Sequence, residues 1–315
     1  MGFANPRGRP TIPHMRLPET GHEAVLLNEV MELLSPSEGK IIVDCTVGRG
    51  GHSLEIAKRV GASGMLVGLD VDPANLEFAR ERLKNASAKV RLFHANFAEL
   101  GEVLSEVGAS GVDGILADLG VSTNQLFDEK YGLSFSTTMP LDMRLDPRIE
   151  RSAADIVDEM KEKELADLLF NLAQEHYSRQ VARKIVEARK ISPISTTERL
   201  SDIVRSAIPK RGGAPQKIDP ATRTFLALRM HVNQELENLS ALLEAGPKFL
   251  KPGGTMCVIS FQSMEDRLVK QAFRSAEQTG QFQMLTKKPV TPAEDELAKN
   301  PRSRSAKLRA IRKVG

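Results

Sequence analysis

Between residues 40 and 120 the sequence alternates between two hydrophobic periods, and that alternation restricts the fold more than any other feature. Short β-branched runs stand at Lys40-Ile-Ile-Val-Asp44, Met65-Leu-Val-Gly-Leu-Asp70, Val90-Arg-Leu-Phe-His94 and Val112-Asp-Gly-Ile-Leu-Ala117. Stretches of helical character separate them, at Ser53 to Val60, Pro73 to Leu83 and Phe97 to Val107. In the second of these, Asp72 is placed to cap the first turn and Pro73 suits the first helical position. Strands alternating with helices of about ten residues need right-handed crossovers, so the spacing predicts an α/β fold with a parallel, doubly wound sheet.

The alternation stops after Gly120. Roughly fifteen residues of loop character follow, ending in Pro140-Leu-Asp-Met-Arg144. From Ser152 to Ile208 the pattern is helical, with Leu165, Leu168, Leu169 and Leu172 on one spacing and Val181, Ile185 and Ala188 on another. This predicts a helical insertion over residues 131–217, inside a core made of 22–130 and 218–315, after a leader of residues 1–21. In the returning core, one long helix is expected from about Pro220 to Ala245, with Val232, Leu236, Leu239 and Leu243 as its apolar stripe. Lys251-Pro-Gly-Gly254 reads as a turn, Thr255 to Phe261 as a buried strand, Met264 to Ala276 as a helix and Leu308 to Val314 as a final strand.

The leader's first eighteen residues hold three arginines and no acid, which resembles a transit segment. Pro6, Pro10, Pro13 and Pro18 spoil an amphipathic helix there, so a disordered leader is expected. No run reaches the ~18 apolar residues that a membrane span requires. Two cysteines in 315 residues argue for a reducing, cytoplasmic setting, and neither stands at metal-ligand spacing. The net charge of +3 is small, but it is unevenly placed. Lys299, Arg302, Arg304, Lys307, Arg309, Arg312 and Lys313 form an acid-free basic tail, and Arg205 to Ile218 is a second such stretch, carrying Lys210, Arg211 and Lys217. Such runs are either solvated faces or phosphate contacts.

The loop after the first strand, Val43-Asp-Cys-Thr-Val-Gly-Arg-Gly-Gly-His-Ser53, can turn sharply and approach a ligand closely at Gly48, Gly50 and Gly51. Asp70 ends the second strand, nineteen residues after Gly51, where doubly wound folds keep an acid for ribose hydroxyls. The third glycine of a dinucleotide fingerprint is missing, and no phosphate loop of the G-x-x-x-x-G-K-[ST] kind occurs. Those features together suit an adenosine ligand without phosphates, of which S-adenosylmethionine is the commonest. Asn96 and Phe97 follow the third strand, where an amide or a ring could hold adenine. Asp118 ends the fourth, on the edge where such folds bind ligands.

Five segments occur together and in order: Val43 to Ser53, Ala117-Asp-Leu-Gly-Val-Ser122, Pro140-Leu-Asp-Met-Arg144, Asp219-Pro-Ala-Thr-Arg-Thr-Phe225 and Asn300-Pro-Arg-Ser-Arg304. From about His22 onward the chain resembles the ribosomal RNA small-subunit methyltransferase H (MraW) family. The resemblance implies a Rossmann-like methyltransferase core with a helical insertion, S-adenosyl-L-methionine as cofactor, and methylation of the exocyclic amine, N4, of a cytidine in the decoding region of 16S rRNA. The implied partner is that RNA or the small ribosomal subunit, and a homodimer is left open. Carried over by position, cofactor contacts fall on Gly50, Gly51, His52, Asp70, Phe97, Asp118 and Gln125. His52 and Gln125 enter this set through the resemblance; by pattern alone His52 would face solvent at a helix start. The chain departs from the family at Gln262, where Phe261-Gln-Ser-Met-Glu-Asp266 replaces the usual histidine, and at Cys45 and Asn124.

Methyl transfer from a sulfonium needs in-line placement more than acid–base help. An acceptor for the amine hydrogens would still aid a cytosine nitrogen, and Asp118 and Asp142 are the catalytic candidates. Asp142 could instead pair with Arg144. Attack at ring carbon five is disfavoured, because neither Cys45 nor Cys257 follows the fourth strand. With no Trp and two Tyr, RNA recognition is expected to lean on phosphates and shape, through Arg144, Arg223, Arg229 and the tail. A DNA amino-methyltransferase of this fold would carry an Asn/Asp-Pro-Pro-Tyr loop where this chain has Asp118-Leu-Gly-Val. A non-catalytic RNA-binding assembly factor is the other alternative, mildly favoured by Gln262 and opposed by the intact glycine loop.

Overall fold

The computed structural model describes residues 24–209 and 219–315. The leader, and Lys210, Arg211 and Lys217 of the second basic stretch, lie outside the described residues. The predicted alternation opens the fold, as α1 (Leu27–Leu34), β1 (Ile41–Asp44), α2 (Gly51–Val60), β2 (Met65–Asp70), α3 (Pro73–Leu83), β3 (Lys89–His94), α4 (Leu100–Glu106) and β4 (Val112–Asp118). A 3₁₀ turn, Phe97–Glu99, precedes α4. Asp72 caps α3 as expected, accepting from the Ala74 N–H at 3.0 Å.

Helices follow: α5 (Thr123–Phe127), α6 (Ala153–Glu159), α7 (Glu162–Ala173), α8 (Ser178–Arg189), α9 (Thr197–Ala207), α10 (Ala221–Val232) and α11 (Glu235–Phe249). The chain then closes with β5 (Leu250–Ser260), α12 (Ser263–Gln278), β6 (Phe282–Met284), α13 (Glu294–Lys299) and β7 (Lys307–Lys313). Among the described residues no helix is long and apolar enough to cross a membrane.

One sheet takes the order β3-β2-β1-β4-β5-β7-β6. The first five strands are parallel, and β7 runs antiparallel between β5 and β6. Alternate residues of the central strands face opposite layers, as the two-residue period demands. Ile115, Ala117, Met256 and Val258 join Leu100, Leu104, Leu239, Leu242 and Phe273 on one side. Leu116, Cys257 and Ile259 join Val30, Leu34, Ile56 and Val60 on the other. A third apolar cluster is built from the helices and the loop that precedes them, from Tyr131 and Leu133 through Leu165, Val181 and Val204 to Phe225, Leu228 and Val232. It includes α10, so the helices share one core well past residue 217, the expected end of the insertion.

Three local expectations are corrected. The single helix expected over Pro220 to Ala245 is two, α10 and α11, broken at Asn233 and Gln234, where Gln234 has φ 49°. The apolar stripe runs on across the break, but the Asn233 amide is committed to a distant loop: Nδ2 donates to Met143 O at 2.8 Å and Oδ1 accepts from the Leu145 N–H at 2.9 Å. Residues expected as loop after Gly120 include α5 and a 3₁₀ turn at Glu129–Tyr131, both too short for a periodic signal. The Lys251-Pro-Gly-Gly254 turn is a bulge within β5, where pairing jumps from Val112↔Leu250 to Gly114↔Thr255. The final strand expected over Leu308 to Val314 is β7, and it draws part of the basic tail out of solvent, with Arg309 buried against Asp266 at 2.7 Å and Lys307 on the same carboxylate at 3.3 Å.

Candidate active site

The carboxyl ends of β1 to β4 open onto a cavity of about 670 Å³. Its walls include residues 45–48 after β1, Asp70 and Val71 after β2, Asn96 and Phe97 after β3, and residues 118–120 after β4. This is the edge at which open α/β sheets bind ligands, and the volume lies within the roughly 300–1,000 Å³ of small-molecule sites.

The glycine loop turns at Gly48 (φ 52°) and Gly50 (φ 77°), a backbone shape that side chains with a Cβ resist, and α2 begins at Gly51. Asp70 fixes this loop from the next strand. Its Oδ2 accepts from the Gly48 N–H at 2.7 Å and its Oδ1 from the Asp72 N–H at 2.8 Å. Asn75 Nδ2 also reaches both oxygens, more loosely, at 3.4 Å each, so a ligand hydroxyl would compete with this long amide contact rather than with the two short backbone ones. Burial pushes the Asp70 carboxyl up to about 6 against the pull of those hydrogen bonds.

Asp72, one turn of chain further on, is a buried junction. The Tyr131 hydroxyl and the Gln125 amide both donate to its Oδ2, the latter at 2.9 Å. Gln125 Oε1 in turn accepts from the Ser122 N–H at 3.0 Å. Gln125 therefore lines the cavity with both ends of its amide already held, and it shapes the wall that joins the sheet to the helical lobe.

At the end of β4, Asp118 has its backbone N–H on Thr46 Oγ1 at 2.6 Å. Its side-chain Oδ1 is buried with no hydrogen-bond partner. Burial, with Asp44, Glu265 and Glu296 adding like charge, raises this carboxyl well above the ordinary range. Asp44 lies behind it at the end of β1, itself pushed up to about 6 by burial while Ser53 Oγ donates to it at 2.6 Å. His52, which the pattern would have left facing solvent, is buried, with Nε2 2.9 Å from Val25 O and Nδ1 3.8 Å from Asp118 Oδ2.

The sequence profile of the MraW methylase family matches residues 19–314 of this chain. The chain belongs to that family. It is 44% identical to a ribosomal RNA small subunit methyltransferase H of Koribacter versatilis, over 92% of this chain and 93% of that protein. It is 46% identical to one of Sorangium cellulosum, over 93% of this chain and 91% of that protein. Among solved structures, a methyltransferase homologue from Pyrococcus horikoshii aligns over 93% of this chain and 67% of its own at 16% identity and a TM-score of 0.44, too remote to bear on this site.

All seven residues assigned to the cofactor through the MraW resemblance fall in or beside the cavity. Gly51, His52, Asp70, Phe97, Asp118 and Gln125 line it, and Gly50 is the turn between Arg49 and Gly51. Asn96, offered for adenine on position alone, lines it too, but its Oδ1 caps the Phe97–Glu99 turn on the Ala98 N–H at 2.9 Å. Asp142 is not on the cavity wall. Arg144 grips both its oxygens, at 2.8 and 2.7 Å, and reaches Ile149 O at 3.1 Å. The pair braces the Pro140–Arg144 loop, and neither member is placed for direct chemistry in this conformation.

Arg229, expected at an RNA surface, lines the cavity instead, held by Glu235 at 2.7 and 2.9 Å. The sequence reading passed over Glu235 and Glu265, and both are on the wall. Burial raises the Glu265 carboxyl, although its Oε2 accepts from the Phe261 and Gln262 N–H groups, each at 2.9 Å. The signal for Glu265 was present: an acid three residues after Gln262 sits where a helix start wants one. Nothing local marks Glu235, which the break after α10 brings into place.

Proposed function

We propose that this chain transfers a methyl group from S-adenosyl-L-methionine to the N4 amine of a cytidine in the decoding region of small-subunit rRNA, in the cytoplasm. The unpartnered Asp118 Oδ1, buried at the ligand-binding edge of the sheet, is the observation that carries this reading. A buried carboxylate oxygen without a donor is costly and calls for a cation or a hydrogen-bond donor from a ligand.

The residues present fit the proposed cofactor. Glu235 is matched by Arg229, but Asp70, Asp118 and Glu265 have no Lys or Arg ion pair among the described residues, and they give their part of the wall an acidic character that suits a cationic sulfonium and repels the phosphates of a dinucleotide. The glycine turn and Asp70 form a cradle for an adenosine and its ribose, with Phe97 beside it. Bound there, S-adenosylmethionine supplies an electrophilic methyl group. This chain's own residues do the rest. Asp118 accepts a hydrogen from the target amine, sharpening its lone pair and receiving the proton that methylation makes acidic. The cavity walls hold the base in line, the larger contribution, about 7–11 kcal/mol when ideal. A target base in paired RNA must be unpaired or extruded to reach such a cavity.

Incubating small ribosomal subunits that lack this modification with the protein and labelled S-adenosylmethionine, then digesting the RNA to nucleosides, tests the reading. Label in N4-methylcytidine is expected. Label in another nucleoside would reassign the target, and cofactor binding without any label would replace catalysis with the assembly-factor reading that Gln262 suggests.

A pH comparison tests the electrostatics separately. A bound cation favours ionised Asp118, and its raised pKa means that protons compete for that oxygen as the pH falls. Asp70 and Asp44 join the competition near their values of about 6. The preference for cationic S-adenosylmethionine over neutral-sulfur S-adenosylhomocysteine should therefore drop at least about threefold between roughly pH 7.5 and 5.5. Parallel pH curves for the two ligands, measured by calorimetry, would remove the carboxylates from sulfonium recognition.

A further inference from the structure

The cations on the cavity wall divide into two kinds. Arg148 is held by Glu99 and Asp146, and Arg229 by Glu235. Among the described residues no carboxylate stands within ion-pair distance of the other two, Arg49 and Arg302. Each of these instead lies over a phenylalanine ring, Arg49 Cζ 4.6 Å from the centre of Phe78 and Arg302 Cζ 4.8 Å from that of Phe127. Phe78 is 41% exposed and Phe127 38%, although both are large and apolar.

The two arginines also meet on one element. Arg302 Nη1 donates to Thr123 Oγ1 at 3.2 Å, and the Asn124 side-chain oxygen, with its amide turned to face it, accepts from Arg49 Nη1 at 3.3 Å. Both partners lie in the first turn of α5, whose last residue is Phe127. Arg302 comes from the Asn300–Arg304 segment, a 3₁₀ turn at Pro301–Ser305 pinned by buried Ser303, whose hydroxyl donates to Asn300 O at 2.8 Å. A ring and a planar guanidinium are thus fixed together at the exposed edge of the cavity.

We propose that Phe127 and Arg302 form a stacking platform for the RNA nucleotide next to the target base, with Arg49 contacting the adjoining phosphate. The proposal rests on reading the chain as an RNA methyltransferase. The acidic wall admits a neutral base and repels phosphates, so the RNA backbone has to stay at the edge, where the two cations without carboxylate partners are. Aromatic faces and arginine planes are the usual supports for unstacked bases, and they accept any base because each presents a π-face. An exposed ring already ordered by a cation needs little further ordering to receive one. The lack of Trp had pointed to phosphates and shape alone; the fold assembles an aromatic support from a five-residue helix and a distant arginine.

Fluorescence anisotropy with a labelled single-stranded RNA of about 15 nucleotides tests this. Phe127→Leu is expected to weaken binding roughly 5- to 100-fold, and Phe127→Tyr to keep it near wild type. Arg302→Gln should weaken it as well and flatten the log–log salt dependence by about 0.7. Calorimetry with S-adenosylhomocysteine should give Phe127→Leu an affinity within about twofold of wild type, which establishes that the variant is folded. If the wild-type protein binds the RNA and both variants match it, the platform is overturned while the methyltransferase reading stands. If the wild-type protein binds the cofactor but no RNA, the RNA reading fails and the platform falls with it.

Discussion

Asp118→Asn is expected to slow methyl transfer by roughly 10²- to 10⁴-fold, the usual contribution of a positioned proton acceptor, while the melting temperature stays the same or rises. The two halves of that expectation share one cause. Asp118 Oδ1 is buried without a donor, and the carboxyl is pushed up by burial and by Asp44, Glu265 and Glu296. An acid whose pKa is raised on folding binds its proton more tightly in the native state, so its contribution to stability falls as the pH rises past the unfolded value. Burying this acid therefore costs stability above the unfolded value, and asparagine, which has no carboxyl to ionise, removes that cost. Function kept at a cost in stability is common at active sites. Single-turnover methylation and thermal melting of the same preparations check the pair. Activity within about threefold of wild type would remove Asp118 from the chemistry. A lost activity with a large fall in melting temperature would mark it as a structural residue instead.

Gly132→Ala is expected to destabilise the protein by about 3–5 kcal/mol, near the upper end for single substitutions. Gly132 has φ 60°, which costs a residue with a side chain about 1–2 kcal/mol by itself. The larger part is steric: a Cβ here would stand 2.0 Å from Pro140 O and 2.9 Å from the Asp142 backbone nitrogen. Both obstacles are backbone, so no side chain can swing aside. The strand of chain that would have to move is the one braced by Arg144 and Asp142, and it is tied to Tyr131 by the Met143 N–H at 2.7 Å. Tyr131 in turn holds Asp72 on the cavity side. Differential scanning calorimetry should show a melting temperature lower by roughly 10 °C, given about 2–4 °C per kcal/mol in a chain of this size class. A shift of less than about 2 °C would mean that this junction yields freely.

The sequence by itself determined what local periodicity and local chemistry can carry. The strand-and-helix alternation from Lys40 to Asp118, the cap of α3 at Asp72, the glycine turn and the acids at the strand ends all follow from neighbours within a few residues, and all stand in the structure. The ordered motifs carried the family, and residues as unlike in role as His52 and Phe97 do line one cavity. What the tertiary structure alone decided concerns partners far apart in the chain. The break between α10 and α11 depends on Asn233 binding Met143 and Leu145, about ninety residues away. Whether an acid is left open to a ligand depended on burial and pairing: Asp142 is neutralised by Arg144, whereas Asp118 is left with an orphaned oxygen. The same holds for the cations. Arg309, in the basic tail, and Arg229 looked like RNA contacts and are held by Asp266 and Glu235, while Arg49 and Arg302 lie on phenylalanine rings without a carboxylate partner among the described residues. Charge and hydrophobicity are properties of residues; solvation and pairing, which set what those residues do, are properties of the fold.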